Sequence, residues 1–93
     1  MRYEVQITNR ADADIAEIAA FISQDNPTRA VSFVAELYNE AKTLCELPYR
    51  GKQMRGRPTA RRLIYGNYLI VYAIQEAEKQ IVVLRFLHSS RVA

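Results

Sequence analysis

The apolar residues of this chain change their period once. From Ala11 to Leu44 they recur every three or four positions, and from Arg61 to Leu87 they alternate. One such change places helices first and strands afterwards, an α+β arrangement rather than interleaved β-α-β units. Ala11, Ile15, Ile18, Ala19 and Ile22 form one helical stripe, and Ala30, Phe33, Leu37, Ala41 and Leu44 form a second. Thr8 or Asn9 offers the first N-cap, with Asp12 and Asp14 near the positive end of the helix dipole. Between the stripes, Asn26-Pro27 stops one helix and starts the next, because Asn caps and Pro suits the first helical position. So short a break predicts an antiparallel helical hairpin ending near Leu47-Pro48.

Strands flank this hairpin. Tyr3 to Ile7 alternates ahead of it. After it, Arg61–Tyr65 and Tyr68–Ile74 enclose Gly66-Asn67, a two-residue hairpin signal, and Ile81–Leu87 follows a polar turn. The predicted order is β-α-α-β-β-β, an antiparallel sheet with the helical hairpin on one face, in a single domain over residues 1–93. A two-residue turn sets Tyr65 opposite Tyr68, Leu63 opposite Ile70, and Arg61 opposite Tyr72. Arg61, Tyr65, Tyr68 and Tyr72 then share a face suited to stacking and hydrogen bonding, and Arg62, Ile64, Leu69 and Val71 share the other.

Charge is distributed unevenly. Residues 1–46 hold four basic and eight acidic side chains, whereas residues 47–75 hold six basic ones and no acid. Arg50, Lys52, Arg55, Arg57, Arg61 and Arg62 thus make a block of positive potential able to steer an acidic protein or nucleic acid partner. One histidine and one cysteine cannot build a structural zinc site, and no carboxylate cluster has metal-ligand spacing, so neither metal nor cofactor is expected. The lone Cys45, with no signal peptide and no long apolar run, points to a cytoplasmic protein without membrane contact. Cys45 follows the second apolar stripe and is expected to pack rather than react.

Catalytic groups are sparse. Alternation along the last strand puts Ile81, Val83, Arg85 and Leu87 on one face and Val82, Leu84, Phe86 and His88 on the other. Arg85 and His88 then point apart unless the strand bulges or ends early. No glutamate precedes Glu76 in the basic half, which leaves little equipment for general acid–base chemistry.

The succession TNRADADIAEIAAFISQDNPTRAVSFVAEL, LPYRG, RRLIYGNYLIVYAI and VVLRFLHSSR resembles the RelE/ParE superfamily of bacterial toxins over essentially the whole chain. Its most specific pieces are the Ala11–Ile18 helix, the Asn-Pro break, Tyr68–Tyr72, and Leu87–Arg91. The resemblance implies the toxin of a two-gene type II toxin–antitoxin module with this α+β fold. It also implies a cognate ParD-like antitoxin as partner, with operator DNA reached only through the toxin–antitoxin complex. Within the superfamily the chain is more similar to the ParE-like branch, which implies poisoning of DNA gyrase with no catalytic residue. The alternative is a RelE-like, ribosome-dependent mRNA endonuclease, for which Arg62, Arg85 and His88 map loosely onto the nuclease positions. Arg50, Lys52, Arg55, Arg57, Arg61, Tyr68, Tyr72 and Arg91 are the expected contacts to target or antitoxin.

Overall fold

The computed structural model describes residues 2–91. Strand β1 (Glu4–Ile7) leads into helices α1 (Asn9–Ser23) and α2 (Pro27–Lys42), the second continuing as a 3-10 turn over Thr43–Cys45. Four strands follow: β2 (Lys52–Met54), β3 (Arg57–Tyr65), β4 (Tyr68–Gln75) and β5 (Gln80–His88). They form one five-stranded sheet in the order β1-β5-β4-β3-β2.

The helix boundaries follow from capping chemistry. Thr8 Oγ1 accepts the Ala11 amide, and Asn26 Oδ1 accepts the Arg29 amide with Pro27 at the first helical position. Each cap satisfies a donor that the first turn leaves unpaired. Both apolar stripes face the sheet. Ile15, Ile18, Phe33, Leu37 and Leu44 pack against Leu63, Ile70, Tyr72, Ile81, Val83 and Phe86. The Gly66-Asn67 turn has Gly66 at φ +60°, the left-handed first position of a type II′ hairpin. It delivers the expected register of Tyr65 with Tyr68, Leu63 with Ile70, and Arg61 with Tyr72.

The fold is thus the α+β arrangement read from the sequence, with three features added. The sheet is mixed, because β1 lies parallel to β5, with Val5 opposite Ile81. The basic loop contains the short strand β2, closed onto β3 by the Arg55-Gly56 turn with Gly56 at φ +77°. Finally, β5 carries a bulge at Leu84, since Val71 pairs with Arg85 and Tyr72 with Val83. The extra residue corrects the simple alternation: Phe86 and His88 join Ile81 and Val83 on the face covered by the helices. Among the described residues no helix is long and apolar enough to cross a membrane.

Candidate functional site: a basic flank and an acid-locked edge

Cross-strand register draws one line across the outer face of the sheet. Lys52 lies opposite Arg62, Arg62 opposite Val71, and Val71 opposite Arg85. The two arginines flanking Val71 have unlike surroundings.

Arg85 is locked. Among the described residues no strand pairs with β5 on the β1 side beyond Val83, and α1 covers that edge instead. Arg85 donates from Nε and Nη2 to the carboxylate of Asp14, at 2.7 and 3.1 Å. The Phe86 amide donates to the same carboxylate at 3.0 Å, so a buried Asp14 closes both a guanidinium and an open strand edge. Hydrogen bonding to Asp14 holds the Arg85 pKa above its ordinary value. Arg10, one turn before Asp14, lies 3.7 Å from it.

The basic block divides by environment. Arg50 pairs with Glu40 of α2 at 2.7 Å and also donates to Thr43. Arg61 donates to the Gly51 carbonyl at 2.7 Å and stacks on Tyr49. Tyr72 is fully buried, and its hydroxyl donates to Pro48 O at 2.7 Å while accepting the Gly51 amide at 2.9 Å. Burial is the main reason its pKa is raised. These bonds clamp the loop so closely that a Cβ on Gly51 would sit 2.7 Å from Arg62 O and from the Tyr72 hydroxyl. By contrast Lys52, Arg55 and Arg57 are exposed, and no acid pairs with them among the described residues. Arg62 is half-buried, and its Nε is enclosed without a hydrogen-bond partner.

A cavity of about 320 Å³ opens between α1 and the ends of β4 and β5. Ile18, Phe21, Tyr68 and Phe86 line it together with the polar Asp14, Glu17, His88 and Ser90, with Phe21 two-thirds exposed. His88 meets Tyr68 edge-on at 5.2 Å between ring centres, and its Nδ1 is 2.8 Å from the Ser90 hydroxyl.

Compared with known families, residues 5–93 match the one described as the ParE toxin of type II toxin-antitoxin system, parDE. The chain belongs to the ParE toxin family. Two solved structures share its fold. The toxin–antitoxin complex RelBE2 from Mycobacterium tuberculosis is 24% identical with a TM-score of 0.74, covering 95% of this chain and 99% of the other. The chromosomal ParDE toxin–antitoxin system from P. aeruginosa is 20% identical with a TM-score of 0.78, covering 94% and 96%. Comparison with curated proteins gave no match.

In this ParE-family chain the residues singled out from the sequence fall in four places. Arg62 and Arg85 share the outer face on either side of Val71, while His88 pairs with Tyr68 on the helix side. The three are not brought to one point. Tyr72 and Arg61 hold the loop, Tyr68 lines the cavity beside α1, and the side chain of Arg91 lies outside the described residues. The tyrosine-rich face expected to be a binding surface is the face that the helices cover, so Tyr72 is withdrawn from any partner. Arg50, expected to be a free loop charge, is held by Glu40 instead. Sequence reasoning missed Asp14, which it placed only as a dipole-favourable residue, although the bond to Arg85 spans 71 positions. An acid on the apolar side of a helix, one position before Ile15, was the available signal.

Proposed function

We propose that this chain is the toxin of a type II toxin–antitoxin module that inhibits growth by acting on DNA gyrase, without breaking a bond itself. The observation that carries the reading is the state of Arg85. The arginine that a nuclease reading would direct at a phosphate is held by two bonds to a buried carboxylate, and His88 lies on the opposite face. A general acid or base must stand within hydrogen-bond reach of the proton it moves, beside a group that stabilises the developing charge. Among the described residues Arg62, Arg85 and His88 form no such grouping, and membership of the ParE family agrees with a docking mode of action.

Neutralisation is assigned to a cognate ParD-like antitoxin, an acidic segment that folds on binding in the cytoplasm. Both similar structures are named as toxin–antitoxin assemblies, which supports such a partner. The Ile18, Phe21 and Phe86 side of the cavity beside α1 suits the segment's apolar side chains, and Lys52, Arg55 and Arg57 suit its acids. Operator DNA is then engaged only through the antitoxin complex, and no membrane is involved.

The test is purified toxin in a gyrase supercoiling and cleavage-complex assay, beside primer extension on translating ribosomes. Inhibited supercoiling with intact mRNA is the expected result. Site-specific mRNA fragments with unaffected gyrase would replace this reading by the ribosome-dependent endonuclease, and His88→Ala should then lower cleavage about 10²–10⁴-fold.

A further inference from the structure

The three acids of α1 are not alike. Asp12 accepts the Tyr38 hydroxyl at 2.7 Å, and Asp14 accepts from Arg85 and the Phe86 amide. Glu17 is exposed and has neither a hydrogen bond nor an ion pair among the described residues. It lines the cavity of about 320 Å³ beside α1, where Ile18, Phe21, Tyr68 and Phe86 supply an apolar and aromatic wall. Among the described residues the lining holds two carboxylates and no lysine or arginine. Nearby cations are engaged elsewhere. Arg85 feels the Glu17 charge but gives both its hydrogen bonds to Asp14, and Arg10 reaches that same carboxylate. His88 is bonded to Ser90, whose amide donates to its Nδ1 at 3.2 Å.

Few groups can cover such a wall without penalty. An aliphatic side chain suits Ile18 and Phe86 but takes water from a carboxylate that has no partner, which is costly. An acid repels Glu17. A cation on an aliphatic stem suits both parts, because the stem packs on the apolar wall while the head pairs with Glu17 beside aromatic rings. Guanidinium fits better than ammonium, since it is planar, stacks on rings and is more weakly hydrated. We infer that this cavity takes an arginine side chain of the antitoxin, an occupant that presupposes the antitoxin reading, and that Glu17 selects for it. The antitoxin segment then carries a cation where it crosses α1, opposite in sign to the acids that suit Lys52, Arg55 and Arg57.

Two measurements test the site, one without the antitoxin and one with it. On the purified chain, n-butylguanidinium, guanidinium and n-butanol are titrated separately at constant ionic strength, following the Glu17 amide and the Phe21 and Tyr68 rings by NMR. Saturable shifts with n-butylguanidinium, at lower concentration than with either fragment, are expected. Glu17→Gln, at an exposed position that leaves the fold intact, should weaken that binding about fivefold. Glu78→Gln removes a charge from the β4–β5 turn, outside the cavity, and should change it by less than about twofold. With the antitoxin, Glu17→Arg should weaken binding about tenfold or more and Glu78→Arg should not, and replacing one antitoxin arginine by glutamate should restore the affinity of Glu17→Arg. A wild-type chain that binds no antitoxin overturns the occupant together with the antitoxin reading. An antitoxin bound equally by wild type and Glu17→Arg overturns the inference while that reading stands, as does n-butylguanidinium binding no tighter than n-butanol.

Discussion

The two flanks of the sheet treat their cations differently. On the β5 flank, Arg85 has two hydrogen bonds to a carboxylate that is itself buried under α1. On the β2–β3 flank, Arg62 occupies the matching position beside Val71, yet its Nε has no partner and its strand neighbour is Lys52. The origin of the difference is the charge distribution of the sequence. All eight acids of residues 1–46 lie in β1, the hairpin and its connections, and among the described residues every ion pair except Lys79–Glu76 uses one of them. Arg29 has Glu36, Arg50 has Glu40, and Arg85 has Asp14, whereas the far flank has none. A cation with a built-in acid contributes to the fold. One without is available to something else.

The largest effect expected from this contrast is at Asp14. Asp14→Ala leaves the Arg85 guanidinium and the Phe86 amide without their acceptor. Breaking a fully buried ion pair from one side costs about 3–5 kcal/mol. The Arg85 side chain is one-third exposed, which lowers the expectation to about 2–4 kcal/mol. Chemical denaturation measures it. Asp14→Ala with Arg85→Met should recover part of the loss, because the stranded charge is then gone. If Asp14→Ala proves neutral, the two arginines are equivalent and the contrast fails.

Next in size is Tyr72→Phe. The hydroxyl serves two backbone groups of the basic loop, Pro48 O and Gly51 N, at a position with no exposure. Removing it leaves both short of a partner, and the expected cost is about 1–3 kcal/mol. The loop should also loosen locally, seen as faster amide exchange at Gly51 than at Phe86. Equal protection at the two would mean that the basic flank does not depend on this clamp.

How much of this was legible before the structure divides along the same line. Local chemistry carried the caps at Thr8 and Asn26, the Gly66-Asn67 turn and the β3–β4 register, since each is written within a few residues. The parallel seat of β1 beside β5, the bulge at Leu84 and the Asp14–Arg85 bond depend on segments far apart in the chain. No periodicity encodes them. The bulge matters most, because one extra residue reassigns Phe86 and His88 to the helix side. The positive block was visible as composition, but its division into held and unpaired residues was not. That division depends on where Glu40 and Gly51 lie in space.

A smaller effect concerns pH. Glu36 accepts from Arg29 at 2.6 Å and from the Tyr65 hydroxyl at 2.7 Å. The Arg29 bond first, then Tyr65, hold its pKa below the ordinary 4.5. A depressed folded-state pKa means that the native chain binds fewer protons than the unfolded one. Its contribution is therefore present above the ordinary value and is lost as pH falls through the folded one. Glu36→Gln should flatten the acid limb of the melting temperature below pH 4.5 by slightly lowering neutral stability towards the acid value, a small loss because the pair is surface-exposed. The same substitution made at an acid outside the network, Glu78→Gln, serves as the control. An unchanged acid limb in Glu36→Gln would show that the hairpin's pairs are no better satisfied than those of the far flank.

The smallest stability change and the most selective functional one are expected together, at Lys52, Arg55 and Arg57. All three are exposed, and none is ion-paired among the described residues. Exposed charges of this kind contribute within about 0.5 kcal/mol each, so neutralising all three to Gln should barely move the melting temperature. Removing the Lys52 charge opposite Arg62 even relieves a repulsion. Association should respond differently, since these charges add to one field. Steering by a concentrated patch changes on-rates by an order of magnitude or more and is screened over about 10 Å at 0.1 M salt. The triple variant should therefore bind an acidic antitoxin more slowly at low salt and show a shallower dependence of affinity on ionic strength. Arg50 is left in place because Glu40 already pairs with it, and Arg50→Gln alone should move stability more than binding. Identical salt slopes for wild type and triple variant would mean that the unpaired cations form a solvated loop, and that lacking an acid partner within the fold does not mark them for a partner outside it.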